Sequence, residues 1–287
     1  MKHITQKNIK ILCVATKSSG YYEILKESCQ KHNYELITLG WGQKWQGFIW
    51  KHKLYYDYLK TIKTNEIIIL SDAYDVVCLR DSQDLIKEFK NYNTKILFGD
   101  QTALTSYFAF NSLSRIRCSG SIIGYANYLI KLEKWMANSS IENKFNNDDQ
   151  MILKVISEKH PYFFNNYTKI DIHQKIFFIT NGDLLFSPSY NFNNDIGLKV
   201  KKNNNTNPEV VIKNNEEIKP CILHGAAAIN LTPLLVELGY QVKNKTKPNY
   251  LFKLPQFGSM LGYLIKINII YQILIILLFI HLWNKYF

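Results

Sequence analysis

The chain has 287 residues, of which 47% are hydrophobic, 14% aromatic and 20% charged, so it can bury one large core, and collagenous, coiled-coil and wholly disordered classes are excluded. The formal net charge is +12, yet arginine occurs only at Arg80, Arg115 and Arg117. A chain this poor in the bidentate reader of guanine and phosphate is not built as a specific nucleic-acid binder, although its basic surface attracts an anionic substrate such as a nucleotide diphosphate. The lysines travel with Ile and Asn, as in Lys201-Lys202-Asn203-Asn204-Asn205, a drift of the kind an AT-rich genome such as that of a large DNA virus produces. Five scattered cysteines (Cys13, Cys29, Cys78, Cys118, Cys221) form no C-x-x-C pair and signal neither a zinc ribbon nor a disulfide framework.

In chain order, Ile9–Ala15 reads as a strand and Tyr21–Lys31 as a helix with Tyr22, Leu25 and Cys29 along one face. Tyr34–Leu39 reads as a second strand ending at Gly40, and Phe48, Tyr55, Tyr58, Leu59 and Ile62 keep helical spacing. Ile67–Leu70 is a short all-apolar run, expected of a strand covered on both faces. Ser82 reads as the cap of a helix running to Lys90, and Lys95–Phe98 as a fourth strand. The second half is less regular: a Gly-containing strand (Ser119–Ala126), an acidic helix start (Asp148-Asp149-Gln150), a polar excursion (Asn191–Asn215) and a late strand (Cys221–Leu223). The alternation predicts an α/β fold with a mixed, mostly parallel sheet flanked by helices.

The two ends of the chain differ. Met1–Lys10 is polar and reads as no secretory signal. Ile267–Trp283 carries no formal charge and contains the apolar run Ile273–Ile280, and a helix of this length nearly crosses a hydrocarbon core of roughly 30 Å. Asn268, Gln272 and His281 keep open an amphipathic helix docked on the domain. The expected organisation is a catalytic domain over residues 1–258 and a hydrophobic tail over 259–287. If the tail anchors the protein to a membrane, the domain is expected on the cytosolic side.

Chemistry concentrates at predicted strand ends. Leu70-Ser71-Asp72-Ala73-Tyr74-Asp75 puts two carboxylates, three apart, directly after a buried strand, where ligands of open α/β sheets bind. Hard divalent cations take oxygen ligands and share them with phosphates, so Asp72 and Asp75 suit a metal held against a diphosphate. A turn in which Asp72 caps its own backbone fits the same pattern. Ile222-Leu223-His224-Gly225 is a second short strand ending in a polar residue: His224 is an acceptable manganese-type ligand and Gly225 allows close approach of a phosphate, although a lone histidine is more often simply hydrogen-bonded. Asp148 and Asp149 are either caps favoured by the helix dipole or carboxylates facing a sugar or acceptor hydroxyl. Ser119 and Gly120 leave room for a ligand against the backbone, or serve tight strand packing.

These features occur in an order that resembles the glycosyltransferase domain of the procollagen lysyl hydroxylases. The cues are Val14-Ala15-Thr16-Lys17, Leu39-Gly40-Trp41-Gly42 with Trp45, Ser71–Val76, Ser119-Gly120 with Ile123–Ala126, Asp148–Gln150, Asn181-Gly182 and His224-Gly225, spanning Lys10 to His224. The resemblance implies a GT-A-like fold, a UDP-sugar donor, and manganese, with magnesium as the substitute. It implies that Asp72, Asp75 and His224 are the metal ligands, that Tyr74 stacks on uracil, and that Val14 and Thr16 lie against the nucleoside. Lys51 falls near the family's basic residue in the helix after the second strand, across a short gap, and Asp148 and Asp149 match the acidic run beside the sugar. Several positions depart from the family pattern: Ala226 and Asn230 stand where the family has an Asn and a diphosphate-facing Lys, Cys118 where it has an Asn, and Asn146 and Asn147 shorten its acidic run.

The expected reaction is therefore transfer of a hexose, galactose or glucose, from a UDP-sugar to a hydroxyl acceptor, with hydroxylysine or galactosyl-hydroxylysine of a collagen-like protein as the candidate. Two alternatives stand beside it: a membrane-associated glycosyltransferase acting on glycan or lipid acceptors, and a catalytically silent binding protein of the same fold.

Overall fold

The computed structural model describes residues 9–63, 65–101, 115–139, 148–180, 197–201, 208–226 and 230–242. The tail beyond residue 258 and the pair Asn181-Gly182 lie outside them. Among the described residues no helix is long and apolar enough to cross a membrane.

The elements are β1 (Ile9–Val14), α1 (Tyr22–Lys31), β2 (Tyr34–Leu39), α2 (Phe48–Leu59), β3 (Ile67–Ser71), β4 (Val76–Cys78), α3 (Ser82–Asn91), β5 (Ile96–Asp100), β6 (Arg117–Tyr125), α4 (Ala126–Ala137), α5 (Asp149–Lys159), α6 (Pro161–Tyr167), β7 (Thr168–Asp171), β8 (Phe177–Ile179), β9 (Leu198–Lys201), β10 (Glu209–Ile212), β11 (Ile222–His224) and α7 (Thr232–Glu237). Six strands form the main sheet in the order β2-β1-β3-β6-β5-β7. β1 pairs in parallel with β2 and β3, and β5 with β7, while β6 runs antiparallel to both its neighbours. This is the mixed, mostly parallel sheet that the alternating pattern predicts. A second sheet has the order β4-β11-β8, and β9 pairs with β10 apart from it.

Strand periodicity divides the core. Ile11, Cys13 and Ile69 face one side with Tyr22, Leu25 and Cys29 of α1. Leu12, Ile68 and Leu70 face the other with Tyr55 and Leu59 of α2 and Leu129 and Leu132 of α4. Two-sided burial explains why β3 has no polar alternation. All five cysteines are free and buried, and burial pushes the thiols of Cys13 and Cys221 up to about 12.

The helix beginning at Ser82 differs from expectation in its cap. Asp81, not Ser82, accepts from the Gln83 N–H at 2.8 Å, and Ser82 is the first helical residue, fully buried. Order missed in the second half comprises α4, α6, α7 and the short strands β7 to β10, whose runs of three or four residues are too brief for a periodic signal.

One buried carboxylate ties the two sheets together. Asp171, at the end of β7 in the main sheet, accepts from the N–H groups of Lys175, Ile176 and Phe177 at 3.1, 2.8 and 2.8 Å, and from the Tyr92 hydroxyl. Phe177 begins β8 of the second sheet. The turn from one sheet to the other is thus held by this carboxylate, together with the Ile176 carbonyl, which accepts from the N–H groups of Cys221 and Ile222 at 3.1 and 2.8 Å.

Candidate active site

The carboxyl end of β3, beside that of β1, meets the amino-terminal half of β6, because β6 is antiparallel to β3. Ser71 pairs with Ser121, and the Asp72 N–H donates to the Gly120 carbonyl at 3.1 Å. The chain then turns through Ala73, Tyr74 and Asp75 into β4, which carries Val76 opposite His224 of β11. The Gly225 N–H donates to the Asp75 carbonyl at 2.7 Å, so backbone pairing alone sets the two acids beside the imidazole.

Asp72, Asp75 and His224 each present one ligand atom, and these atoms all lie within 4.8 Å of one another. His224 Nε2 is 3.5 Å from Asp72 Oδ2 and 3.6 Å from Asp75 Oδ1, while its Nδ1 is turned to Ser121 Oγ at 2.9 Å and Cys118 Sγ at 3.6 Å. Burial opposes a charge on this imidazole, but Asp75 outweighs it and holds the group well above its ordinary value. Burial likewise opposes ionisation of Asp72, and the charges of Lys51 and His224 overcome it and keep the carboxyl below its ordinary value. Two carboxylate oxygens and an imidazole nitrogen are a donor set that a manganese- or magnesium-type cation accepts. Gly120 completes the cradle: a Cβ there would collide with the Asp72 carboxylate and stand 2.8 Å from His224 Cε1.

Lys51, on α2, reaches across to the acids. Its Nζ lies 2.5 Å from Asp72 Oδ1 and 2.8 Å from Asp149 Oδ2, with 3% of the side chain exposed. Burial works against this ammonium, and Asp149 and Asp72 outweigh it and hold it well above its ordinary value. The short gap in the resemblance therefore leaves Lys51 in contact with the acids.

Asp148 and Asp149 divide their work. Asp148 caps α5, its Oδ1 accepting from the N–H groups of Gln150 and Met151 at 2.9 and 3.3 Å. Burial and then the charge of Asp149 raise its carboxyl above the ordinary value. Asp149 instead points to Lys51. Gln150 fastens this helix start to β6, accepting from the Ser119 N–H at 2.9 Å and donating to the Arg117 carbonyl.

On the nucleoside side, Tyr74 is half-buried and its hydroxyl accepts from the Thr16 N–H at 3.1 Å, so it lies at the end of β1 beside Thr16. Val14 itself is buried in the core. Trp41 and Trp45, after β2, stay exposed, with Trp45 edge-on to Trp50 at 5.5 Å. Gly225 packs under Leu231, whose side chain would stand 3.0 Å from a Cβ there, and its N–H is already used. Asn230 is also committed: its Oδ1 accepts from the Tyr21 hydroxyl and the Thr232 N–H, both at 3.1 Å.

Sequence reasoning missed His52 and Glu133. Both are fully buried, His52 on α2 and Glu133 on α4, with His52 Nδ1 2.7 Å from Glu133 Oε2. The only signal was an acid and an imidazole placed on helix faces otherwise lined by Tyr55, Leu59, Leu129 and Leu132. Ser121, the partner of His224, lay within the quoted Ser-Gly strand but drew no role.

Residues 5–248 match the family described as PLOD GT domain. Procollagen-lysine,2-oxoglutarate 5-dioxygenase 1 of Bos taurus is 30% identical over 151 residues, covering 47% of this chain and 21% of that protein. The procollagen-lysine,2-oxoglutarate 5-dioxygenase of Drosophila melanogaster is 26% identical over 235 residues, covering 76% of this chain and 30% of that protein. The matched region thus spans between 21% and 30% of the length of these relatives. A solved glycosyltransferase involved in the glycosylation of the major capsid of PBCV-1 superimposes with a TM-score of 0.45 at 12% identity, covering 77% of this chain and 96% of that one.

Proposed function

The chain belongs to the PLOD GT domain family, and from that membership we propose that it is a metal-dependent glycosyltransferase that moves a hexose from a UDP-sugar to a hydroxyl. The observation that carries the reading is the convergence of Asp72, Asp75 and His224, drawn from two sheets onto one point with ligand atoms within 4.8 Å of one another. When bound, a divalent cation supplies Lewis-acid neutralisation of the charge that develops on the departing diphosphate.

The chain's own residues supply the rest. The ring of Tyr74, held by Thr16, offers the uracil a flat face at the end of β1. Ser119 and Gly120 line the approach to the acids. Gly225 acts by keeping β11 close to Leu231, and so sets where His224 stands. Lys51, between Asp72 and Asp149, brings a fixed positive charge to the side on which the diphosphate lies and holds Asp149 in place. Asp149, with Asp148 committed to the cap, is the carboxylate that faces the sugar or the acceptor hydroxyl, orienting the hydroxyl or stabilising positive charge on the sugar ring. The acceptor is a hydroxyl of the hydroxylysine class on a collagen-like protein, supported by the procollagen-lysine named in the relatives. The uncharged run Ile267–Trp283 supports a membrane anchor; truncation after Gly258 should then release the protein into the soluble fraction with activity intact.

The deciding experiment incubates the protein with UDP-glucose and UDP-galactose, with and without manganese, and measures UDP. Wild type should release UDP from one donor only with the metal present. Asp75→Ala and His224→Ala should abolish that release while the protein still melts cooperatively. Full activity in either variant removes the metal assignment, and no release by wild type from any donor removes the transferase reading.

A further inference from the structure

Behind Asp149, α2 and α4 enclose an ionisable pair that the reaction as described does not use. Glu133 and His52 are 0% exposed and meet at 2.7 Å between Oε2 and Nδ1. The remaining polar atom of each side chain, His52 Nε2 and Glu133 Oε1, is buried with no hydrogen-bond partner. His52 Nε2 is aimed at the site: it stands 3.9 Å from Asp149 Oδ2, the same oxygen that Lys51 holds at 2.8 Å. Burying an acid and an imidazole among Tyr55, Leu59 and Leu129 costs stability that an apolar pair of the same volume would not. An arrangement that leaves one imidazole nitrogen short of its acceptor is strained unless Asp149 closes the gap.

The geometry points to His52, backed by Glu133, as a positioning residue for Asp149. Glu133 fixes the ring through Nδ1, which directs Nε2 at Asp149 Oδ2 from the side opposite the sugar site. Lys51 and His52 then grip one carboxylate oxygen, leaving the other free to meet the sugar or acceptor. When Lys51 is shared with a bound diphosphate, its hold on Asp149 weakens, the carboxylate settles toward His52, and the 3.9 Å separation shortens to a hydrogen bond. The role explains why the imidazole sits on the face of α2 next to Lys51. It rests on the transferase reading for its consequence in turnover, and on the buried geometry alone for the contact.

The test has one arm for each. In the UDP-release assay, His52→Gln should lower kcat by about tenfold to a hundredfold with the donor KM close to wild type, since a misplaced carboxylate affects the transition state more than donor binding. Glu133→Gln should fall in the same direction by less. A double variant, His52→Leu with Glu133→Leu, should melt at or above the wild-type temperature yet keep the low kcat, which a merely structural pair would not do. Wild-type turnover in the double variant overturns the proposal. In the second arm, with imidazoles labelled with nitrogen-15, Asp149→Asn should shift the His52 Nε2 resonance in folded protein. An unmoved resonance overturns the contact. If wild type releases no UDP, the transferase reading fails and this second arm alone judges the pair.

Discussion

Ser121 Oγ lies 2.9 Å from His224 Nδ1, on the side of the imidazole away from Asp72 and Asp75. With Nδ1–H donating to this hydroxyl, Nε2 is the nitrogen that faces the acids, and it offers its lone pair once a cation displaces the proton that Asp75 favours. Ser121→Ala should therefore weaken manganese binding roughly 10- to 100-fold without removing any ligand. Titration of the metal by calorimetry measures it, and an unchanged dissociation constant would show that Cys118 alone, 3.6 Å away, suffices to hold the ring.

Gly120→Ala tests the cradle by steric means. The added methyl meets the Asp72 carboxylate and His224 Cε1, one from each sheet, and β6 is pinned by its pairing to β3 and cannot withdraw. Overpacking of this kind typically costs about 1–3 kcal/mol. The variant should melt lower and lose manganese-dependent stabilisation altogether. Retention of the wild-type increase in melting temperature on adding manganese would mean the two groups have room to part.

The acid limb of stability should carry the signature of Asp148. Its carboxyl is raised above 3.8, by burial first and then by Asp149, so the folded chain holds this proton more tightly than the unfolded chain does. The resulting stabilisation is complete below pH 3.8 and is lost as pH rises through the folded value. Asp148→Asn keeps a capping oxygen and removes the titration. Urea unfolding across acid to neutral pH should show the wild-type stability, relative to the variant, declining as pH rises and then levelling. A constant difference, or one that grows with pH, contradicts the assignment.

Asn230→Lys separates alignment from structure. The residue aligns with a diphosphate-facing lysine of the family, but here its Oδ1 accepts from the Tyr21 hydroxyl and the Thr232 N–H. Lysine has no acceptor, so both bonds are lost at a cost on the order of 1–3 kcal/mol, although the Tyr21 hydroxyl still accepts from the Leu231 N–H at 3.0 Å and stays 3.1 Å from Thr232 Oγ1. Denaturant unfolding should show that loss. A variant as stable as wild type with tighter UDP binding would mean that the ammonium reaches the diphosphate and that the Asn contacts are dispensable.

Much of the first half was legible because its strands are buried on both faces and its helices expose one. Ile67–Leu70 and the stripe Tyr22, Leu25, Cys29 declare themselves by composition and spacing, and the structure buries each as that pattern requires. The triad was legible only through motif order, since Asp72 and His224 are 152 positions apart in the chain (224 − 72) and no local period links them. The placement of β11 against β4 is a tertiary event in strands of three residues, below the length at which alternation speaks. The pair His52–Glu133 was hidden for a related reason. Polar residues on an apolar helix face read as interruptions until the opposing helix supplies the partner. Ser82 misled because it is a favoured cap, and Asp81, one residue earlier, is equally favoured.

The cluster Asp72, Asp75 and His224 is divided between two sheets that the Asp171 and Ser121 side chains help to staple: Asp72 follows β3 of one, and His224 ends β11 of the other. A cation taken up there would act as a clasp as well as a reactant, since its ligands come together only while the sheets are docked. Occupancy and docking are then one equilibrium, and by mass action a metal at a hundred times its dissociation constant raises folding stability by about 2.7 kcal/mol. The site is in this sense a caliper: anything that lets the sheets slide, however far from the acids, is felt first as a loss of grip on the ion.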